Sequence, residues 1–160
     1  MEHTHDADVF DDPRLTDIGM LFEATNGIRR KLEPSWTANG LSPLDFAALM
    51  RLSRSPGRRL RMTDLADQAQ LSTSGVTRLV DRLERNGFAR RQPDPNDRRS
   101  SYAALTAAGA TRLAKVLPEY LKILDTWFYG QLTPEQCEAL ISGLRIIRDA
   151  TFPEAGRISE

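Results

Sequence analysis

The chain has 160 residues, of which 40% are hydrophobic and 28% charged, the make-up of a globular protein with one domain and enough length to bury a core. No apolar run is long enough for a transmembrane helix, the acidic start lacks the pattern of a secretory signal, and a single cysteine rules out an internal disulfide, so a cytoplasmic protein is expected. The net charge of zero hides a polarity: residues 51–100 hold 12 Arg and 6 acids, a net of +6, whereas residues 1–50 hold 4 basic residues and 9 acids, a net of −5.

Residues 1–12 are acidic and show no apolar periodicity, which suits a disordered tail, with residues 13–160 forming a single domain. A first helix is expected over Leu15 to Leu32. There Ile18, Leu21, Phe22, Thr25, Ile28 and Leu32 recur at three- and four-residue intervals, and Pro34 is expected to end the helix. Ser42-Pro43-Leu44-Asp45 has the chemistry of a helix start: a capping hydroxyl, a proline in the first turn, and an acid near the positive end of the dipole. That helix should stop before Pro56-Gly57. Thr63 is expected to cap a short helix over Asp64 to Gln70, and Ser72 to cap the next, which Asn86-Gly87 closes.

Two strands should flank the turn Pro93-Asp94-Pro95-Asn96-Asp97, and a short strand near Leu60 to Met62 can pair with them. After Thr106 a long helix carries Leu113, Val116, Leu117, Tyr120, Leu121, Leu124, Trp127 and Phe128, with Pro118 as a possible kink. Thr133 and Gln136 have the spacing of a capping box. The helix they open presents Cys137, Leu140, Ile141, Leu144 and Ile147 on one stripe.

The middle of the chain carries the functional signal. On the helix after Ser72, residues Val76, Leu79, Val80 and Leu83 form the inner side. The outer side then presents Thr73, Ser74, Thr77, Arg78, Asp81, Arg82 and Arg85. Hydroxyls and a long arginine at the start of a helix are groups that read base edges in a major groove, and the N-terminal amides near Ser72 suit a phosphate. Gly75 is expected to let the backbone approach a duplex. Arg82 and Arg85, further along, are expected to meet phosphates. Arg90 and Arg91 precede the turn and Arg98 and Arg99 follow it. A hairpin so loaded with arginine has little core to build, so its charge should face an anionic partner. Asp97 is placed to hold the tip by bonding either the Arg99 side chain or turn amides.

Asp97-Arg98-Arg99 followed by Leu105-Thr106 resembles the Asp-x-Arg…Leu-Thr signature of MarR-type regulators. Leu65-Ala66, Ser72, the run Val76 to Glu84 and Asn86-Gly87-Phe88 agree in order and spacing. The resemblance covers roughly residues 15–150. It implies a mainly α fold with a small β-hairpin wing: a winged helix-turn-helix unit at about 42–106, with dimerisation helices at about 15–34 and 107–152. It implies a homodimer bound to double-stranded DNA, with the helix after Ser72 in the major groove and the wing, led by Arg99, in the minor groove. Repression released by a small aromatic effector is the usual mode in this family. By the same analogy, Trp36, Phe46, Met50 and Trp127 are candidates for an effector pocket, although each also fits an ordinary core position.

No phosphate-binding glycine loop, paired-cysteine metal spacing or nucleophile elbow is present, so no enzyme and no cofactor are expected. Both histidines, His3 and His5, lie in the tail without an obvious third metal ligand. Cys137 falls on an apolar stripe and reads as a buried, inert thiol. The rival class is a winged-helix protein-interaction module without DNA binding. Such a module would carry a neutral or acidic recognition face.

Overall fold

The computed structural model describes residues 7–156, with side chains from residue 9 onward. Its helices are α1 (Ala7–Phe10), α2 (Pro13–Thr37), α3 (Pro43–Arg54), α4 (Met62–Gln68), α5 (Thr73–Arg85), α6 (Ala107–Trp127) and α7 (Pro134–Thr151). Its strands are β1 (Arg59–Arg61), β2 (Ala89–Asp94) and β3 (Asp97–Leu105). The strands form one antiparallel sheet in the order β1-β3-β2, with Leu60 opposite Ala103 and Gln92 opposite Tyr102. The register slips at Pro93 and Asp94, where the hairpin tip turns. Within the expected tail, Ala7–Phe10 forms a helical turn; His3 and His5 lie outside the described residues.

Helix ends follow local chemistry. In α3 the Ser42 hydroxyl accepts the Asp45 amide at 3.1 Å while the Asp45 carboxylate reaches back to the Ser42 amide at 3.3 Å. The expected Thr133–Gln136 box opens α7 in the same way. Gly87 takes a φ of 74°, the left-handed conformation in which the Phe88 amide closes onto the Leu83 carbonyl at 2.9 Å.

Two expectations about helix ends fail. Pro34 does not end α2, which runs on to Thr37. The missing proline amide costs one hydrogen bond. The last turn instead gains burial of Ser35 and Trp36, with the Trp36 ring stacked 5.4 Å from Phe46. Thr63 does not cap α4: the helix starts two residues earlier than expected, at Met62 after Arg61, has no side-chain cap, and ends at Gln68 rather than Gln70. Strand β1 ends as α4 begins, so sheet pairing sets the start.

The core lies between α3, α5, α6 and the sheet. Leu49, Leu52, Leu60, Leu65, Leu79, Val80, Leu83 and Val116 are all but inaccessible. The four apolar positions expected inside α5 are all buried. By contrast, α7 buries no residue within the single chain, and Leu15, Ile18, Phe22, Leu121, Ile146 and Ile147 are exposed. No helix among the described residues is long and apolar enough to cross a membrane.

Candidate nucleic-acid interface

The start of α5 is built by its cap. The Ser72 hydroxyl accepts the Gly75 amide at 3.1 Å and lies 3.1 Å from the Ser74 hydroxyl. Ser72, Thr73, Ser74, Thr77 and Arg78 are all exposed, so the expected reading row faces outward. Thr77 donates to the Thr73 carbonyl at 2.8 Å, which leaves its hydroxyl oxygen as an acceptor toward any partner. The Arg78 side chain makes no hydrogen bond or ion pair among the described residues, so it is free to reach.

Gly75 packs closely against the turn that precedes α5. A Cβ there would meet the Ser72 hydroxyl at 3.2 Å and Leu71 Cβ at 3.3 Å. The missing side chain therefore makes room for the turn between α4 and α5.

Arg82, expected on a phosphate, and Arg91, expected to face an anionic partner, are both engaged inside the protein. Arg82 donates through Nε and Nη2 to Asp45 Oδ1, at 2.9 and 2.6 Å, and ties α5 to α3. Asp45 is only 4% exposed, so the pair holds a carboxylate that would otherwise be stranded. Arg91 pairs with Glu84 and, at 2.7 Å, with Asp81, and its backbone amide donates to Glu84 Oε1 at 2.7 Å. Partial burial works against the Arg91 charge. Asp81 and Glu84 outweigh it, so the guanidinium pKa lies above the ordinary arginine value. These bonds clamp the root of the wing to the reading helix. Arg85 stays exposed, its Nε 3.4 Å from the Asp81 carbonyl oxygen, and Arg90 is exposed on β2.

The wing tip is shaped by two aspartates. Asp97 Oδ1 accepts the Arg99 amide at 2.9 Å, the second of the two arrangements its position allowed, and Asp94 Oδ1 accepts the Asn96 amide at 2.9 Å. Arg98 and Arg99 side chains are exposed and make no bond among the described residues. Asp94 is buried and forms an ion pair with Arg61 at 3.2 Å, and Arg61 also donates to the Tyr102 hydroxyl at 3.3 Å. Reading the sequence missed this brace, because its partners are 33 and 41 residues from Arg61 along the chain. Gly109 was missed as well. A Cβ there would lie 2.1 Å from the Phe88 carbonyl oxygen, so only glycine lets α6 start against the wing root.

A cavity of about 590 Å³ lies where α2, α3 and α6 meet, and three of the four candidate pocket residues, Trp36, Phe46 and Met50, line it. Trp127 does not. It is exposed, with the Lys31 ammonium 4.0 Å from its ring centre. Tyr120, one turn beyond Val116 on the α6 stripe and not among the expected pocket residues, takes the place expected of Trp127 and lies 5.0 Å from Phe46 between ring centres. Burial and then the neighbouring Tyr129 push the Tyr120 phenol above its usual pKa. Trp36 Nε1 is buried without an acceptor among the described residues. Arg29, Arg51 and Arg54 also line this cavity. Cys137 is half-buried, beside Tyr129, Leu132 and Ile141 rather than in a core.

Residues 39–100 match the profile of the MarR family. The HTH-type transcriptional regulator YfiV of Bacillus subtilis is 36% identical over 117 residues, which make up 72% of this chain and 70% of YfiV. YkoM of the same organism is 36% identical over 104 residues, 64% of this chain. The chain spans just under two thirds of YkoM, at 65% of its length. The fold is similar to that of Sco3205, a MarR family transcriptional regulator from Streptomyces coelicolor whose crystal structure is in complex with DNA. That match has a TM-score of 0.77 and 31% identity over 85% of this chain and 86% of the other. With a winged helix-turn-helix flanked by long helices, and these likenesses on both sequence and fold, the chain belongs to the MarR family.

Proposed function

We propose that this protein is a sequence-specific regulator of transcription that binds double-stranded DNA as a cytoplasmic homodimer and acts as a ligand-responsive repressor. The observation that carries the reading is the division of labour on one face. Arg82 and Arg91 brace the reading helix and the wing from within, while Ser72, Thr73, Ser74, Thr77, Arg78, Arg98 and Arg99 are left exposed on the same unit. A helix of this kind fits a major groove, and an arginine-tipped wing reaches the adjacent minor groove or backbone. A protein-interaction module would not need so many arginines left without acids. Asp97 belongs to the interface as the residue that fixes the Arg99 backbone.

The dimer reading rests on the apolar faces of α2, α6 and α7, which one chain leaves uncovered. A twofold dimer reads a pseudo-palindrome whose half-site centres lie about 10 bp apart, or a multiple of it. The effector reading rests on the cavity of Trp36, Phe46, Met50 and Tyr120, an aromatic lining with arginines beside it. An effector bound there lowers DNA affinity only if it favours the state whose two reading helices are misplaced for the operator.

The test is a binding-site selection from random duplexes with the wild type and Arg78→Ala. The wild type should enrich a pseudo-palindrome. The variant should bind it more weakly by about 1–3 kcal/mol and relax preference at one symmetric base-pair position. No enrichment by the wild type would overturn the reading.

A further inference from the structure

A second cleft, of about 290 Å³, lies apart from the reading face and shares Arg51 and Arg54 with the aromatic cavity. It is bounded by the end of α3, by α4, and by the turn that follows α7. Arg51 and Arg54 enter it from α3, Gln68 from α4 and Arg148 from α7, with Ser55 and Gly156 completing the wall. No carboxylate is among its described lining residues. Arg51 is half-buried, its guanidinium pKa lowered by burial, and it donates to Gln68 Oε1 at 3.3 Å. Arg54 makes no hydrogen bond or ion pair among the described residues. Arg148 spends Nε and Nη2 on one oxygen of Asp149, at 2.9 and 2.6 Å, and lies against Gly156.

The charges do not balance. Among the described residues, three guanidiniums line the cleft, and one acid, Asp149, pairs with one of them. The carbonyl end of α3 supplies only roughly half a negative charge. Holding a partly desolvated cation beside two others is unfavourable unless an anion joins them. Planar guanidinium forks suit an anion with several oxygens, each taking two N–H groups.

We infer that this cleft binds a small multivalent oxyanion, held between Arg51 and Arg54 of α3 and Arg148 of α7. The shared chemistry is several charged oxygens on one small molecule, whether phosphoryl or polycarboxylate. The ligand would join the end of α7 to the helix pair on which the reading helix is mounted. The inference is independent of the DNA-binding proposal and is tested without DNA.

Full-length protein is titrated by calorimetry and thermal melting with inorganic phosphate and, separately, with citrate, each against chloride at matched ionic strength. At least one of the two should bind saturably and raise the melting temperature beyond chloride. A response to phosphate alone identifies a phosphoryl ligand, and a response to citrate alone a polycarboxylate. Arg54→Gln and Arg148→Gln, both exposed positions, should each weaken that binding roughly tenfold or more, the scale of a lost charge-assisted hydrogen bond. Arg99→Gln, on the wing, should leave it unchanged. Because Arg148 does not line the aromatic cavity, its variant also separates the two pockets. The assignment fails if neither anion exceeds chloride, if binding survives both cleft variants, or if Arg99→Gln abolishes it.

Discussion

Arg82→Ala separates two roles that the sequence leaves indistinguishable. If Arg82 met a phosphate, its loss would weaken DNA binding and lower the salt dependence without touching stability. The geometry predicts instead a loss of stability with the salt dependence unchanged. Two charged hydrogen bonds, at 2.9 and 2.6 Å, end on an oxygen of Asp45, a residue 4% exposed. Removing one member of a fully buried pair costs about 3–5 kcal/mol, because the other charge is stranded. The Arg82 side chain is 39% exposed, so water can reach the vacated oxygen, and the other Asp45 oxygen keeps its bond to the Ser42 amide. Discounted for that screening, the expected loss is about 2 kcal/mol. For a domain of this size that lowers the melting temperature by roughly 4–8 °C. Chemical denaturation of Arg82→Ala, Asp45→Ala and the double variant should give a coupling energy of about 1–2 kcal/mol. DNA titrations at several salt concentrations, below the variant's melting range, should keep the wild-type slope. An unchanged melting temperature together with a slope shallower by about one unit would refute the structural role and return Arg82 to the phosphates.

Other consequences are as direct. Arg99→Ala should weaken operator binding by about 1–2 kcal/mol and leave the melting temperature unchanged, because only its backbone amide is bonded at the tip; a thermal shift as large as that of Arg82→Ala would show a structural role. Gly109→Ala should lower stability by about 3 kcal/mol or more, seen in denaturant unfolding, since the new Cβ falls 2.1 Å from the Phe88 carbonyl oxygen and 2.8 Å from Leu105 Cδ1. Ile147→Lys places a charge on the uncovered face of α7 and should yield a monomer in light scattering with the winged unit still folded; a persistent dimer would move the interface elsewhere.

The elements that could be read from the sequence are those whose cause is local. The α5 stripe, the Ser42 cap, the Thr133 capping box, the Gly87 turn and the Asp97 tip each depend on residues within about four positions, and each is found as expected. What escaped depends on distant partners. Pro34 was read as a stop because proline breaks isolated helices, but the burial of Trp36 against Phe46 and Tyr120 carries the helix past it. Arg82 and Arg91 looked like neighbours of Arg78 and Arg98, yet Asp45 lies 37 residues from Arg82 and Glu84 seven from Arg91. Trp127 shared a helix stripe with Tyr120, but only Tyr120 reaches the cavity. The cleft around Arg148 had no local signature, since its three arginines come from both ends of the fold.

The same partition explains why a chain with no net charge can still present a cationic reader. The acids near the winged unit do not cancel its charge evenly. Asp45, Asp81, Glu84 and Asp94 are spent on Arg82, Arg91 and Arg61, each joining two elements: α3 to α5, α5 to β2, and β1 to the wing tip. Neutralised arginines therefore hold the frame, while Arg78, Arg98 and Arg99 keep their charge and their reach. A reader built this way loses little freedom on docking, because the braces already fix the angle between helix and wing. Cutting a brace should then harm recognition through geometry, whereas cutting an exposed arginine should harm it through contact. The two kinds of loss differ in the one respect that matters for assignment: a broken brace shows itself in the free protein, and a lost contact shows itself only on DNA.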